Sequence, residues 1–225
     1  MRIIPLSTWK RSEHFKIYRA FSQPHFAMCT NVDVSSFNIF VKERGDSFTV
    51  AVTYVLARVA NDIPEFRFRI RGEEVVEHEV VHPSTTILAE GDLFSFCTVN
   101  YSEDYAGFSA SAVERIAYLK KNPTLKDEPG LDNLLFMTSI PWVSFTSFMH
   151  PLSSIPPDSV PRFAWGKWFE EGSSLKMPLA VQVHHALMDG FHVGKFYTAV
   201  QEYLTRPERL LGKSRSLKPF RETKD

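Results

Sequence analysis

Two periodicities of apolar residues divide this chain into strands and helices. Over residues 67–71 and 179–185, apolar and polar residues alternate, which is the pattern of a β-strand. Over residues 191–204, apolar residues recur every three or four positions, which is the pattern of an amphipathic helix. Because segments of both kinds follow one another along the chain, the pattern predicts an α/β fold.

Capping residues and prolines bound the other predicted elements. Ser47 is a typical N-cap for a buried helix that ends before Pro64, and Pro123 closes another helix candidate. Residues 67–76 predict a hairpin with one solvated face. On the same basis helices are predicted at residues 12–21, 36–44, 48–60 and 105–122, and strands at residues 134–138 and 143–148.

The composition excludes several classes of protein. With 225 residues, 44% of them hydrophobic, the chain is long enough for one domain, and no linker divides residues 1–225. Lys plus Arg and Asp plus Glu both total 26, so the chain lacks the basic excess of a nucleic-acid-binding protein. It also contains no apolar run long enough for a membrane span and no apolar core of a signal peptide. We expect a cytoplasmic protein that acts on a small molecule.

Cysteine is rare in this chain. Only Cys29 and Cys97 are present, both in segments with strand character. In a cytoplasmic chain such cysteines are expected to be unpaired and to act as small buried hydrophobic residues.

The candidate chemistry is concentrated in residues 184–190, whose sequence is HHALMDG. His184 and His185 are neighbours on a predicted strand, so their side chains point to opposite faces. One histidine is therefore expected in a cleft and the other in the packed interior, which argues against two ligands of one metal ion. Gly190 then permits a tight turn between the strand and the following helix.

Four segments of the chain resemble one known enzyme family. Residues 184–193 (HHALMDGFHV) resemble the signature of chloramphenicol acetyltransferases, and residues 9–15 (WKRSEHF), 62–67 (DIPEFR) and 141–148 (PWVSFTSF) are similar to further family segments. The chain is thereby identified as a member of this family. The resemblance implies a two-layer sandwich of mixed β-sheet and helices, and a homotrimer with its active site at the subunit interface. It also implies acetyl-CoA as co-substrate, a small-molecule alcohol as acceptor, and no metal.

The resemblance implies a role for each residue of the motif. His185 matches the general base, which removes the proton of the acceptor hydroxyl because almost no alcohol is ionised at neutral pH. Asp189 matches an aspartate that pairs with an arginine, here Arg11, and this pair, with Gly190, supports the backbone of the site. Thr138 matches a serine whose hydroxyl stabilises the oxyanion. Judged without the motif, such residues are more often a packed histidine, a solvated arginine and an ordinary strand threonine.

Two positions near the expected cofactor differ from the family. Ala164 stands where the family has a threonine that helps to hold a water, so some solvation of the transition state is expected to be missing. Trp168 replaces another aromatic residue beside CoA and follows Lys167. The resemblance makes Lys167 and Trp168 cofactor-binding residues, although the spacing of Trp165 and Trp168 suits a place in the core equally well.

The predicted acceptor pocket combines an aromatic wall with two unusual residues. Family pocket positions fall on Tyr18, Pro24, Phe26, Phe96, Phe148 and His150. The aromatic residues suit a nitrophenyl group. Pro24 and His150 stand where the family usually has a cysteine and a leucine, and an unpaired histidine in an apolar wall is costly to desolvate. This change is compatible with a more polar acceptor.

Three alternatives to chloramphenicol O-acetylation follow from the same residues. The chain could acetylate another hydroxylated compound, or it could bind CoA or a small molecule without catalysis, as Thr138 and Ala164 suggest. A protein without catalysis would have little reason to retain His185, Asp189, Gly190 and Arg11 together, which argues against the second of these. A dihydrolipoyl acyltransferase core shares the histidine motif, but it predicts a lipoyl domain and a linker that 225 residues do not accommodate.

Overall fold

The computed structural model describes residues 1–125, 130–152 and 157–212, so the single domain predicted over residues 1–225 lies partly outside the described residues. The strands are β1 (Arg2–Ile4), β2 (His25–Asp33), β3 (Phe68–Arg71), β4 (Glu74–Glu77), β5 (His82–Leu88), β6 (Phe94–Thr98), β7 (Leu134–Ile140), β8 (Arg162–Gly166), β9 (Phe169–Glu171) and β10 (Ser174–His184). The helices are α1 (Ser12–Tyr18), α2 (Ser35–Arg44), α3 (Phe48–Asp62), α4 (Tyr105–Lys121), α5 (Gly190–Thr205) and α6 (Glu208–Leu211), with short 3-10 helices at Pro64–Arg67 and Glu90–Asp92.

A mixed sheet of seven strands carries the fold. Its order is β2-β10-β8-β7-β5-β6, with β9 paired to β10. Strands β5, β7 and β8 run parallel to one another, whereas the other pairings are antiparallel. Helices α2 to α5 pack on one face of this sheet and on each other. The predicted two-layer sandwich of mixed sheet and helices is therefore confirmed.

Helix α3 lies at the centre of the main core. Most of its residues are buried, because it packs between the sheet and helices α2, α4 and α5. Its N-terminus is capped as predicted, since the Ser47 side chain accepts a hydrogen bond from the amide of Val50 at 3.4 Å. The described helices include none with both the length and the apolar character needed to cross a membrane.

A second, smaller core fixes the turn that follows β10. Strands β1, β4 and β3 form a separate antiparallel sheet. Ala186 and Leu187, directly after β10, are fully buried against Phe15 of α1 and against Phe68 and Val75 of this small sheet. The backbone of the histidine motif is thus anchored by apolar packing on the small sheet, whereas β10, which leads into the motif, belongs to the large sheet.

One predicted strand is wrong. Residues 143–148 alternate like a strand but form no strand, and Val143 makes a single backbone hydrogen bond among the described residues, in which its carbonyl accepts from the Lys167 amide. The reason is topological, because the segment lies against Gly166 at the end of β8, and both sides of β8 are already paired, with β7 and β10. The segment therefore crosses over the end of β8 instead.

The predicted solvated face of the hairpin is also wrong in part. Arg71 is exposed, but Arg69 is 1% exposed and its guanidinium donates hydrogen bonds to backbone carbonyls, among them Phe66 at 3.0 Å and Leu134 at 2.6 Å. Burial lowers the pKa of Arg69 to about 9. Alternation alone could not show this, because the face that should meet solvent packs against the entry to β7.

The cysteines agree with the prediction. Both are free thiols, with Cys97 buried and Cys29 half-buried. Burial raises the pKa of Cys97 to about 11, so its thiol stays protonated.

Gly166 gives a test of the crossing segment. A Cβ on this residue would lie 2.8 Å from the Val143 carbonyl oxygen and 2.9 Å from the Phe145 ring. We expect Gly166→Ala to lower the free energy of unfolding by about 1–3 kcal/mol, because the added methyl group would overpack the contact with residues 143–145. The matched control is Gly194→Ala within α5, where a Cβ meets nothing within 4 Å and alanine should stabilise by about 0.5–1 kcal/mol. Equal urea midpoints for the two variants would contradict the packing described here.

Candidate active site

His185 is the first residue after β10 and is held by its own backbone surroundings. Its amide donates to the Pro24 carbonyl at 2.8 Å, and its Nδ1 lies 3.1 Å from the Met188 carbonyl oxygen. A carbonyl can only accept a hydrogen bond, so Nδ1 must carry the proton. The free lone pair is therefore on Nε2, which leaves that nitrogen available as a base.

Two aromatic rings fix the plane of the His185 imidazole. Tyr18 stacks on it with ring centroids 3.9 Å apart and planes inclined by 16°. Phe26 packs at a tilt with a centroid distance of 4.8 Å. The ring is half-buried. Two of the predicted pocket residues, Tyr18 and Phe26, thus contact the predicted base within one chain.

His184 takes the opposite, packed role expected from strand alternation. It is 3% exposed, and its Nδ1 accepts a hydrogen bond from the Ala186 amide at 3.2 Å. Burial, and next the charge of the nearby His25, whose ring lies 4.9 Å away, lower the pKa of His184 to about 3. His184 is thus a neutral structural residue at neutral pH.

Arg11 connects three groups of the turn. Its guanidinium donates to the carbonyl oxygens of His185 at 2.8 Å and Ala186 at 3.2 Å, and to Asp189 Oδ2 at 2.7 Å. Burial acts to raise the pKa of Asp189, but the hydrogen bond from Arg11, the charges of His192 and Arg11 and the hydrogen bond from the Phe191 amide together outweigh it and hold that pKa below its usual value. The pair is therefore charged at neutral pH, and Asp189 does not touch the His185 ring nitrogens through any hydrogen bond among the described residues.

Asp189 also caps α5. Its Oδ1 accepts from the Phe191 amide at 3.0 Å, and its backbone is extended, as an N-cap requires. The tight turn expected at Gly190 is not found: Gly190 is the first residue of α5, its φ is not positive, and a Cβ there would meet nothing within 4 Å. The N-cap geometry of Asp189 makes the change of direction, so the conformation of one chain does not require glycine at position 190.

Thr138 lies far from His185 within one chain. Thr138 pairs with Ala164 of β8, and Ala164 pairs with Ala180 of β10. His185 is five positions beyond Ala180, which corresponds to roughly 17 Å along the strands and two strand spacings across the sheet. The two residues predicted to act on the same thioester therefore do not meet in a single subunit.

The other predicted pocket residues are spread along the same sheet. Phe96 pairs across the strands with Thr86, whose hydroxyl oxygen is 3.5 Å from that of Thr138. The amide of His150 donates to the Gln182 side chain at 2.7 Å, and its ring lies 4.9 Å from Phe148. Phe96 thus belongs with Thr138, while Phe148 and His150 lie over β10.

The predicted cofactor residues lie past the end of β8. Lys167 is exposed and Trp168 is 39% exposed, whereas Trp165 is 2% exposed. Of the two tryptophans that suited either interpretation, Trp165 belongs to the core and Trp168 remains accessible. Ala164 is completely buried in the middle of the sheet.

Some contacts around the site have little or no signal in the sequence. His25 faces His184 only because β2 and β10 pair in this register. Glu65 lies 3.4 Å from the His192 ring, although the two are far apart in the chain. The spacing of Asp189 and His192, an acid followed three residues later by a hydrogen-bonding side chain at the start of a helix, is a local signal that capping rules do detect.

Comparisons with known proteins identify the family of the chain. The family model described as chloramphenicol acetyltransferase matches residues 1–201. A chloramphenicol acetyltransferase of Klebsiella sp is 33% identical over 201 residues, which cover 89% of this chain and 92% of that protein. One of Bacillus pumilus is 34% identical over 188 residues, covering 83% of this chain and 86% of that protein.

Solved structures show the same fold. A chloramphenicol acetyltransferase structure superposes with a TM-score of 0.80 at 26% identity and covers 90% of this chain and 99% of its own. A dihydrolipoamide acetyltransferase of Azotobacter vinelandii has a TM-score of 0.65 at 15% identity, covering 89% of this chain and 88% of its own, which is a likeness of fold alone. The chain belongs to the chloramphenicol acetyltransferase family, whose members are acetyl-CoA-dependent O-acetyltransferases, and it is an enzyme of that type.

Proposed function

We propose that this protein transfers the acetyl group of acetyl-CoA to a hydroxyl of chloramphenicol, with His185 as general base. The observation that supports the proposal is the contact between His185 Nδ1 and the Met188 carbonyl, which puts the proton of the neutral ring on Nδ1 and its lone pair on Nε2. A fixed neutral imidazole is the group that this reaction needs, because the acceptor alcohol must lose its proton as it attacks.

The proposed reaction has two stages. Nε2 of His185 takes the hydroxyl proton while the alcohol oxygen forms a bond to the thioester carbonyl carbon, which gives an oxyanion. The oxyanion then collapses, the carbon–sulfur bond breaks, and the CoA sulfur leaves with the proton that His185 holds. The acetyl ester and free CoA are the products, and His185 returns to its neutral form. Tyr18, stacked on the ring, keeps Nε2 aimed in one direction throughout.

We assign the oxyanion contact to the Thr138 hydroxyl. The Thr86 hydroxyl can donate to the Thr138 oxygen, which leaves the hydrogen of Thr138 free to donate to the oxyanion. A donor already in place at this point is worth about 2.7–4 kcal/mol in the transition state. Lys167 and Trp168, both accessible, are assigned to acetyl-CoA, as a cation for its phosphates and an aromatic contact.

We infer that two copies of the chain complete each site. Thr138 and His185 are too far apart in one subunit to act on the same carbonyl, by roughly 17 Å of strand length. A homotrimer in which His185 of one subunit faces Thr138 of the next removes this separation. Closed cyclic symmetry would then give three equivalent sites.

A second candidate acceptor, more polar than chloramphenicol, is favoured by two buried histidines. All four ring nitrogens of His25 and His150 are buried without a hydrogen-bond partner in the described part of the chain. Burial, and next the charge of Arg162, lower the pKa of each ring to about 4. Each neutral ring offers one donor and one acceptor, so an acceptor with an uncharged hydroxyl or amide group could satisfy them.

The base assignment is tested by His185→Gln. We expect the rate of CoA thiol release from acetyl-CoA with chloramphenicol to fall roughly 10²–10⁴-fold, because the proton acceptor is lost. The control is His14→Gln, which changes an exposed histidine of α1. A near-normal rate for His185→Gln would remove His185 from the mechanism. If the wild-type enzyme released thiol with another hydroxylated acceptor but not with chloramphenicol, the second candidate would replace the first.

The shared site is tested by mixing subunits. Thr138→Ala should lower the rate roughly 10²–10³-fold and Thr138→Ser should keep it, since serine retains the donor. When Thr138→Ala and His185→Gln subunits are refolded together, each mixed trimer has one interface that pairs an intact His185 with an intact Thr138. We therefore expect activity well above that of either variant alone. Activity no higher than the sum of the separately refolded variants would contradict a site shared between subunits.

His150 gives a test of the acceptor and of stability. We expect His150→Leu to stabilise the protein by about 1–3 kcal/mol, because two unpaired buried nitrogens are removed. The folded-state pKa lies below the unfolded value, so the unfolded state binds more protons between about pH 4 and 6.5, and stability falls as the pH drops through that range. The melting temperature of His150→Leu should therefore depend less on pH than that of the wild type or of His14→Leu.

The same variant tests the acceptor. A lower KM for chloramphenicol in His150→Leu would favour an apolar acceptor, and a higher KM would favour a polar one.

A further inference from the structure

One residue of the histidine motif, His192, contacts an acid from a distant part of the chain, Glu65. His192 lies in the first turn of α5, and Glu65 lies in the 3-10 helix that follows α3. Nε2 of His192 is 3.4 Å from Glu65 Oε1. Both side chains are largely buried, with 15% and 26% of their surface exposed. The mechanism above uses neither residue.

His192 completes the cap of α5. Its Nδ1 lies 3.2 Å from the backbone nitrogen of Asp189 and closes a capping box, a place that a Glu or Gln side chain normally takes. The same Nδ1 is 3.0 Å from Asp189 Oδ1. The ring can therefore bind Asp189 in two ways: neutral, by accepting from its amide, or protonated, by donating to its carboxylate.

Glu65 suits both of these states. In the neutral state Nδ1 needs its lone pair, so the proton is on Nε2, and in the protonated state Nε2 also carries a proton. In either case Nε2 presents its proton to the Glu65 carboxylate, at the 3.4 Å separation of an ion-pair contact. The Glu65 carboxylate disfavours the neutral His192 tautomer that carries its proton on Nδ1. It also disfavours rotations that turn the His192 ring away from Asp189.

Asp189 transmits this position to His185. One carboxylate oxygen accepts from the amide of Phe191 and the other from Arg11, and Arg11 holds the carbonyls of His185 and Ala186. A displaced Asp189 would therefore shift Arg11 and, with it, the peptide units beside the base. The contact between His185 Nδ1 and the Met188 carbonyl, one residue before Asp189, depends on the same backbone.

We infer that Glu65 and His192 are positioning residues of the acetyl-transfer site, which act on His185 through Asp189 and Arg11. The inference rests on the proposed role of His185 as base. On this proposal the Glu65 carboxylate, on a separate element, helps to set the orientation and tautomer of His185 without contacting the substrate.

The first experiment compares apolar and conservative variants. Glu65→Leu removes the contact between Glu65 and His192, and His192→Leu removes both that contact and the hydrogen bond from the Asp189 amide. Glu65→Gln keeps an oxygen that can accept from His192, and His192→Gln keeps one that can accept from the Asp189 amide. We expect kcat to fall roughly 10- to 100-fold in the Leu variants, because a small misplacement of the base is costly, with the KM for acetyl-CoA within about twofold of wild type. The Gln variants should retain most of the activity. Glu103→Leu, at a side chain that is 87% exposed, is the matched control.

A double-mutant cycle separates positioning from general stabilisation. If His192 acts through Asp189, then His192→Leu should cost little further activity in an Asp189→Asn background. A residue that merely stabilises the fold would lower the melting temperature, with additive effects and no rescue by Gln. Wild-type kcat in both Leu variants, or full additivity with Asp189→Asn, would overturn the inference.

A readout independent of turnover uses protein labelled with ¹⁵N-histidine. In the wild type, the His185 signals, assigned by their loss in His185→Gln, should show a protonated Nδ1 and an unprotonated Nε2. We expect His192→Leu and Glu65→Leu to mix in the other tautomer of His185, and Glu103→Leu to leave the signals unchanged. Unchanged His185 signals in both Leu variants would overturn the inference even if chloramphenicol were not the acceptor. Normal turnover by His185→Gln would instead contradict the proposed function.

Discussion

The contact of Arg11 with the turn after β10 is the interaction on which the site depends. One guanidinium binds two consecutive peptide carbonyls and one carboxylate, at distances of 2.7–3.2 Å. Arginine suits this task because its planar group presents several donors in fixed directions, whereas a lysine ammonium would act as a single centre. The turn has an apolar anchor as well, since Ala186 and Leu187 are buried under the small sheet. Removing the guanidinium would leave the Asp189 carboxylate without its partner and two carbonyls without donors.

The large sheet separates the two halves of the proposed chemistry. Its β10 strand leads into His185, the proposed base, with Tyr18 and Phe26 against the ring, while β7 carries Thr138, the proposed oxyanion donor. The sheet register keeps His185 and Thr138 apart in one chain. In the proposed trimer the catalytic geometry therefore depends on how subunits dock, in addition to how each one folds.

Local patterns predicted the elements that local forces determine. The helix that begins after Ser47, the strand that ends at His184 and the split roles of His184 and His185 all follow from periodicity and capping. The strand expected at residues 143–148 failed because strand formation needs a free edge, which is a property of the whole sheet. The prediction of a solvated face at Arg69 failed for a similar reason, since the carbonyls that accept its hydrogen bonds include those of Asp132 and Leu134, in a distant part of the chain.

The site was predictable to the extent that one motif contains it. Arg11 and Asp189 were paired through the family resemblance, and no spacing rule would have joined residues so far apart in sequence. The environment of His150 and the contact between Glu65 and His192 depend on register and tertiary packing. The family resemblance thus located the motif and some of its partners, Arg11, Tyr18 and Phe26, whereas contacts that depend on tertiary packing alone had no signal in the sequence.

The cap of α5 has a consequence for how the enzyme can meet a charged cofactor. A helix N-terminus ordinarily attracts anions, because its first amides are unpaired and its dipole is positive there. In α5 that place is already taken, since the Asp189 carboxylate accepts from the Phe191 amide and brings a negative charge of its own. In the proposed reaction, the phosphates of acetyl-CoA would find this end of the helix already occupied by a carboxylate that is itself paired with Arg11. The charged portion of the cofactor is then expected to lie elsewhere while its thioester reaches His185, so the acid that orders the turn would also restrict the direction from which CoA approaches.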